Sequence, residues 1–200
     1  MLDEPFRRRF ATTLRPIVPG LARLGLTPNQ ITVIAFVLAV LAAVLVATDR
    51  PAAALAVWLA SRIGDGFDGL LARHTGRTSA FGGYLDITLD MAGYTAMVIG
   101  FAVRRPDLTL VWTAIVAGYV LAITTTLALS DAARASGRRI SETDRTFQFS
   151  PALAEGGETT IMYALWLLLP EQLPWLAWAW VAVLGITALQ RTTLAWRVLR

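Results

Sequence analysis

The chain has no cysteine and only one histidine among its 200 residues. Without thiols it can form neither disulfide bonds nor thiolate metal sites, and a single imidazole argues against a zinc site. Lysine is absent as well, so the basic side chains other than that histidine are all arginines. The formal net charge of +4 does not indicate nucleic-acid binding, because membrane proteins commonly carry such charge on their cytoplasmic loops.

Hydrophobic residues make up 56% of the sequence. Several apolar runs approach or exceed the roughly 20 residues that a helix needs to cross a bilayer. We therefore predict an all-α, polytopic membrane protein with an N-terminal interfacial amphipathic segment over residues 1–26 and a transmembrane domain of six helices over residues 27–200. The predicted spans are residues 31–47, 52–73, 79–103, 108–129, 151–169 and 175–198.

The arginines predict the orientation of these spans. Six spans place both termini on one side of the membrane, and every arginine except Arg50, Arg104 and Arg105 then falls on that side. Because basic loops favour the cytoplasm, we expect an inner-membrane protein whose termini face the cytoplasm. The turn at residues 74–78 and the long polar connection at residues 130–150 face the same way.

Local patterns predict helix boundaries and packing. Thr27, followed by Pro28 and with Gln30 three residues on, is typical of a capped helix start. Glycines within the spans favour close helix packing, and tryptophans near the C-terminus are typical of interfacial belts. These residues are Gly93, Gly100 and Gly118, and Trp175, Trp178, Trp180 and Trp196.

Four aspartates lie at the ends of two adjacent predicted spans. Asp65 and Asp68 share one helical face, and Asp86 and Asp90 share a face of the next helix. The short turn between the helices makes them antiparallel neighbours, so the four carboxylates are expected to converge. Each would cost about 2.5–3.5 kcal/mol at the bilayer centre, which indicates a compensating cation or a cavity. Hard oxygen ligands suit Mg²⁺ or Mn²⁺, with Ca²⁺ also possible, and we expect two ions.

Small residues and an arginine accompany the aspartates. Gly69 and Ala72 lie on or near the carboxylate face, and Gly82 opens the following helix. Small side chains allow a bulky group to approach the backbone, and Arg73 can bind phosphate through forked hydrogen bonds. Metal ligands, an arginine and a niche of small residues together predict a pyrophosphate site.

Two other interpretations fit a cluster of aspartates at this position. The aspartates can simply pair with Arg62, Arg73 and Arg77 to stabilise a polar hairpin. Intramembrane acidic residues also mark ion pathways, so a divalent-cation transporter is a second class. The acids cluster toward one membrane face, and no second half of the chain repeats the pattern as an inverted-repeat carrier would, which disfavours the transporter.

The segment D65-x2-D-G-x2-A-R-x8-G-x3-D-x3-D90 resembles the signature of the CDP-alcohol phosphotransferases at every fixed position. The resemblance implies a homodimeric membrane enzyme of phospholipid biosynthesis. Such enzymes move a substituted phosphate from a CDP-linked donor, usually CDP-diacylglycerol, to a small alcohol and release CMP. It further implies metal ligation by Asp65, Asp68 and Asp86, with Asp90 near the metals as general base, and a CDP site lined by Gly69, Ala72, Arg73 and Gly82.

The identity of the acceptor alcohol stays open. Glu155 and Glu158 lie on one face of the fifth predicted span and are either acceptor ligands, favouring an amine or polyol, or partners of the helix dipole. Arg134 and Arg138 suit a phosphorylated acceptor, but they equally fit the charge expected of a cytoplasmic loop. A soluble CDP-alcohol donor with a lipid acceptor is the alternative within the same family.

Overall fold

A computed structural model describes residues 14–136 and 156–199, and all regular structure in these ranges is helical. A 3-10 turn at Arg15–Ile17 leads into a short helix, so part of the predicted interfacial segment is helical and the rest lies outside the described residues. A second 3-10 turn, Pro106–Leu108, precedes the fifth helix. The helices are α1 (Val18–Arg23), α2 (Pro28–Ala47), α3 (Pro51–Thr75), α4 (Ala80–Arg104), α5 (Thr109–Ala135), α6 (Gly156–Leu168) and α7 (Leu173–Leu199).

Four helical segments in the described ranges are long and apolar enough to cross a membrane: Pro28–Ala47, Ala80–Arg104, Pro106–Ala135 and Leu173–Leu199. Helix α3 has the length, but its second half carries the charged residues of the aspartate motif. The described part of α6 is 13 residues long. The all-helical prediction is confirmed, while the count of six spans stays a prediction.

The start of α2 has the predicted cap. The Gln30 N–H donates to Thr27 Oγ1 at 3.3 Å, and the Thr27 N–H donates to Gln30 Oε1 at 2.9 Å. This reciprocal pair satisfies two of the N–H groups that a helix start leaves without an intrahelical partner. It fixes the end of α2 that lies nearest to the aspartate motif.

Helix α2 packs against both α3 and α4, α5 packs against α7, and α6 contacts α3 and α7. The predicted packing glycines allow these close approaches. A Cβ atom on Gly93 would lie 3.2 Å from Ala39 Cβ, and one on Gly118 would lie 2.9 Å from Leu184 Cβ. A Cβ atom on Gly100 would overlap the carbonyl oxygen of Ala43. Helices α2, α3 and α4 consequently form a tight unit that carries the aspartate motif.

Trp180 does not belong to an interfacial belt, and that prediction is wrong. Its side chain is buried, and its Nε1 donates to the Tyr119 hydroxyl at 3.0 Å. The indole thus satisfies its donor inside the bundle, as buried tryptophan requires. Trp175, Trp178 and Trp196 are exposed, as a belt requires.

Candidate active site

The hairpin between α3 and α4 brings the functional ends of the two helices together. Gly76 ends α3 with φ of 66°, a left-handed conformation that glycine adopts without the steric cost of a side chain. Ser79 then caps α4, its Oγ accepting a hydrogen bond of 2.9 Å from the Gly82 N–H. The tight reversal places Asp68 of α3 close to Asp86 of α4.

Three carboxylates of the hairpin form an acid trio, defined as Asp65, Asp68 and Asp86. One oxygen of each lies within 4.8 Å of the other two. Two oxygens that bind one hard divalent cation at about 2.1–2.5 Å lie at most about 5 Å apart, so the spacing of the trio fits such an ion. Oxygen ligands are also those that Mg²⁺ and Mn²⁺ prefer. The trio therefore has both the geometry and the chemistry of a metal site.

Thr32 of α2 orients one member of the trio, although it was not among the predicted site residues. Its hydroxyl donates to Asp68 Oδ2 at 2.6 Å, and both side chains are buried. The bond occupies one oxygen of Asp68 and restrains rotation of its carboxylate. A hydroxyl residue in an otherwise apolar span was the available signal, but its partner lies 36 positions away.

Asp90, predicted to join the trio, has a different partner. Its Oδ1 accepts a hydrogen bond of 2.7 Å from Nη1 of Arg62. The same nitrogen lies 3.8 Å from Asp65 Oδ2. One guanidinium therefore neutralises part of the negative charge at the edge of the trio. The role of Asp90 as base and neighbour of the metals stays a prediction.

Gly69 and Gly82, two of the small residues predicted to line a CDP site, each lie beside polar side chains. A Cβ atom on Gly69 would lie 3.3 Å from Nη1 of Arg73, so the guanidinium lies directly over the glycine backbone. A Cβ atom on Gly82 would lie 3.1 Å from Ser79 Oγ and 3.3 Å from Asn29 Oδ1. At both positions the missing side chain lets a polar group lie close to the helix backbone.

The CDP-alcohol phosphatidyltransferase family matches residues 25–189, a range that includes the whole hairpin. The chain belongs to this family. As a CDP-alcohol phosphatidyltransferase it is a metal-dependent transferase of phospholipid biosynthesis, and its apolar helices make it an integral membrane enzyme. The acid trio is a group of described residues suited to hold the metal.

Relatives of this phosphatidyltransferase include one that matches most of the chain. The inner membrane protein YnjF of Escherichia coli is 34% identical over 176 residues, which cover 85% of this chain and 83% of that protein. The archaetidylinositol phosphate synthase of Pyrococcus horikoshii is 36% identical over 96 residues, covering 48% of this chain and 51% of that protein. The match to YnjF covers so much of the chain that it must include both helices of the hairpin.

Solved structures resemble the phosphatidyltransferase over nearly its full length. The phosphatidylinositol phosphate synthase of Mycobacterium tuberculosis with CDP-DAG bound has a TM-score of 0.67 and 25% identity, covering 91% of this chain and 92% of that chain. The same synthase in complex with manganese and citrate has a TM-score of 0.66 and 25% identity, covering 90% and 88%.

Two of the four predicted acceptor residues lie in the described part of this phosphatidyltransferase. Glu155 and Arg138 lie outside the described residues. Glu158 lies in the first turn of α6, and its Oε2 is buried without a hydrogen-bond partner in the described part of the chain. Arg134 lies exposed in the last turn of α5. The acceptor roles of these four residues stay predictions.

Proposed function

We propose that the enzyme transfers the phosphatidyl group of CDP-diacylglycerol to the hydroxyl of a small alcohol and releases CMP. The reaction takes place in the six-helix domain, residues 27–200, at the cytoplasmic face of the membrane. The observation that carries the proposal is the acid trio, with oxygens within 4.8 Å of one another, on a hairpin that also holds Arg73 over Gly69. A structural relative that binds CDP-DAG supports the choice of donor.

Each residue of the hairpin has a proposed role. Asp65, Asp68 and Asp86 hold Mg²⁺ or Mn²⁺, which when bound draws negative charge from the pyrophosphate so that CMP leaves more readily. Arg73 binds phosphate oxygens beside the open backbone of Gly69, and Ala72 and Gly82 leave room for the nucleotide. Asp90 accepts the proton of the attacking hydroxyl, the task of a general base.

We propose inositol phosphate as the first acceptor to test. Relatives named archaetidylinositol phosphate synthase and phosphatidylinositol phosphate synthase support this choice. Arg134 and Arg138 would supply positive charge for a phosphorylated polyol. Glu155 and Glu158 would instead favour an uncharged polyol or an amine, so the acceptor panel must include both kinds.

The test is a product assay with the purified full-length chain in vesicles. CDP-diacylglycerol or CDP-choline is supplied as donor, together with Mn²⁺ and one of inositol phosphate, inositol, glycerol 3-phosphate, serine or ethanolamine. We expect CMP release and a new phospholipid only with CDP-diacylglycerol, and fastest with inositol phosphate. CMP release with CDP-choline as donor, and none with CDP-diacylglycerol, would overturn the donor assignment.

Matched variants tie that activity to the hairpin. Asp68→Asn removes one carboxylate of the trio and is expected to abolish CMP release at any Mn²⁺ concentration. Asp107→Asn makes the same chemical change at an exposed residue that pairs with Arg105, in the Pro106–Leu108 turn, and should leave the rate unchanged. Equal rates in the two variants would remove the trio from the reaction.

Homodimerisation, which is expected from the family resemblance, is also part of the proposal. Cross-linking of the enzyme in native membranes should give a species of twice the monomer mass. The same result at high dilution in detergent would indicate a stable pair. A monomer under both conditions would contradict this part of the proposal.

A further inference from the structure

Arg62 lies at the centre of a group of contacts beside Asp90. Its side chain is only 9% exposed, although an arginine has a long side chain with a permanent charge. Nη1 donates to Asp90 Oδ1 at 2.7 Å and lies 3.4 Å from the Tyr94 hydroxyl. A single guanidinium therefore links α3 to α4 at the position of the proposed base.

The surroundings of Arg62 hold its guanidinium in one place. Nη2 donates to Ser61 Oγ at 3.0 Å, and that hydroxyl donates to the Ala35 carbonyl at 2.7 Å. The guanidinium carbon lies 4.8 Å from the ring centroid of Trp58 and 5.3 Å from that of Tyr94, within the range of cation–π attraction. Contacts with two aromatic rings and with a serine bonded to α2 leave the side chain little freedom.

The ion pair of Arg62 and Asp90 is only partly shielded from water, because the Asp90 side chain is 24% exposed. Such a pair is a weak way to stabilise a fold: burying the guanidinium costs free energy, and solvent weakens the attraction to a partly exposed carboxylate. An ion pair beside the proposed reaction centre therefore favours a positioning role over a purely stabilising one. Arg62 also lies outside the signature that the sequence shares with its family, so that signature assigns it no task.

We infer that Arg62 is a positioning residue for Asp90: it fixes the Asp90 carboxylate in the orientation that accepts the proton of the acceptor hydroxyl. This inference rests on the proposed function. Arg62 acts on the transfer step through Asp90 and leaves donor binding to Arg73 and the small residues. A displacement of about 1 Å in a catalytic group can cost about 100-fold in rate, so the expected effect is large.

The first test compares turnover per donor site in Arg62→Gln, Arg62→Lys and the unmodified enzyme. Donor sites are counted by binding of radiolabelled CDP-diacylglycerol, and turnover is CMP release with the best acceptor of the panel. We expect kcat per donor site to fall about 100-fold in Arg62→Gln. We expect Arg62→Lys to recover part of it, and the KM for CDP-diacylglycerol to change less than threefold.

Arg104→Gln is the matched control. Arg104 is also an arginine of low exposure, and its Nη2 pairs with Asp49 at 2.6 Å near the other ends of α2 and α4. Loss of that pair can lower stability, but kcat per donor site should stay unchanged. If Arg62→Gln likewise loses only stability or donor sites, Arg62 is merely structural. If saturating Mn²⁺ restores its full rate, Arg62 serves the metal site. Either result overturns the inference.

A double variant provides an independent test. If Arg62 acts through Asp90, Arg62→Gln combined with Asp90→Asn should be no slower than Asp90→Asn alone, within about threefold. If the rate of the double variant fell by the product of the two single losses, the two residues would have separate roles, which would contradict the inference. An unmodified enzyme inactive with every donor and acceptor would instead refute the proposed function itself, so the two failures are distinguishable.

Discussion

At the scale of single residues, the hydroxyl of Thr32 directly orients one carboxylate of the proposed metal site. It bonds to Asp68 at 2.6 Å from a neighbouring helix, and removing such an outer partner of a metal ligand typically costs 10–100-fold in metal affinity. We predict that Thr32→Val, which keeps the shape of the side chain, raises the Mn²⁺ concentration for half-maximal CMP release about 10-fold.

Two further variants sharpen the Thr32 prediction. Thr32→Ser retains the hydroxyl and should stay close to the unmodified enzyme. Thr125→Val removes a hydroxyl that bonds to carbonyl groups of its own helix, those of Leu121 and Ala122, and should have no effect on the Mn²⁺ requirement. A normal Mn²⁺ curve for Thr32→Val would show that Asp68 does not depend on this bond.

Gly69 supports a second prediction at the residue scale. A methyl group there would lie 3.3 Å from Arg73 Nη1, so the guanidinium must move, which costs little stability because it is the end of a flexible side chain. The lost contact to a phosphate would weaken donor binding by about 1.4 kcal/mol, or tenfold. We predict that Gly69→Ala raises the KM for CDP-diacylglycerol about tenfold. The unfolding temperature should not fall, because alanine is favoured over glycine in a helix interior by about 0.5–1 kcal/mol.

The control for Gly69 is Gly185→Ala in α7, where an added Cβ atom meets no atom of the described residues within 4 Å. It should leave the KM unchanged, and the unfolding temperature should not fall, because the same gain in helix propensity applies. A Gly69→Ala enzyme with a normal KM would mean that donor phosphate does not lie against this part of α3.

At the scale of helices, the contact of α2 with α4 holds the hairpin in place. A Cβ atom on Gly100 would overlap the Ala43 carbonyl oxygen, a backbone atom that cannot rotate away. Forcing extra volume into a packed core typically costs 1–3 kcal/mol. We predict that Gly100→Ala lowers the unfolding temperature in detergent, measured by tryptophan fluorescence, while kcat per donor site is retained. An unchanged unfolding temperature would show that the two helices can separate at no cost.

The hairpin is the part of the site that could be predicted from the sequence, because its geometry depends on short spacings. Asp65 and Asp68 are one helical turn apart, and a short turn brings Asp86 close to them. Thr32 and Arg62 could not be predicted in the same way, since their bonds to Asp68 and Asp90 span 36 and 28 positions and depend on how the helices pack.

The same distinction applies to the fold. The cap formed by Thr27 and Gln30 is local and was predicted from four consecutive residues. The burial of Trp180 could not be predicted in this way, because an indole in the first turns of a helix can face lipid headgroups or a buried hydroxyl such as that of Tyr119. Only the packing of α7 against α5 decides between them.

At the scale of the whole molecule, the arginine distribution predicts orientation, and the chain is suited to testing it because it contains no native cysteine. Arg77 lies exposed in the hairpin turn, and Asp107 lies exposed in the Pro106–Leu108 turn at the other end of α4. With the positive side in the cytoplasm, a membrane-impermeant maleimide should label Asp107→Cys in intact bacterial cells. It should label Arg77→Cys only after the inner membrane is permeabilised.

Two more positions test the number of spans. Ser136 lies exposed just after α5, and Glu171 lies exposed between α6 and α7. If the chain crosses six times, Ser136→Cys should behave like Arg77→Cys, and Glu171→Cys should behave like Asp107→Cys. Labelling of Glu171→Cys only after permeabilisation would mean that α6 does not cross the membrane. Labelling of Arg77→Cys in intact cells would place the acid trio on the outer side of the membrane, where it could not reach a cytoplasmic CDP-linked donor.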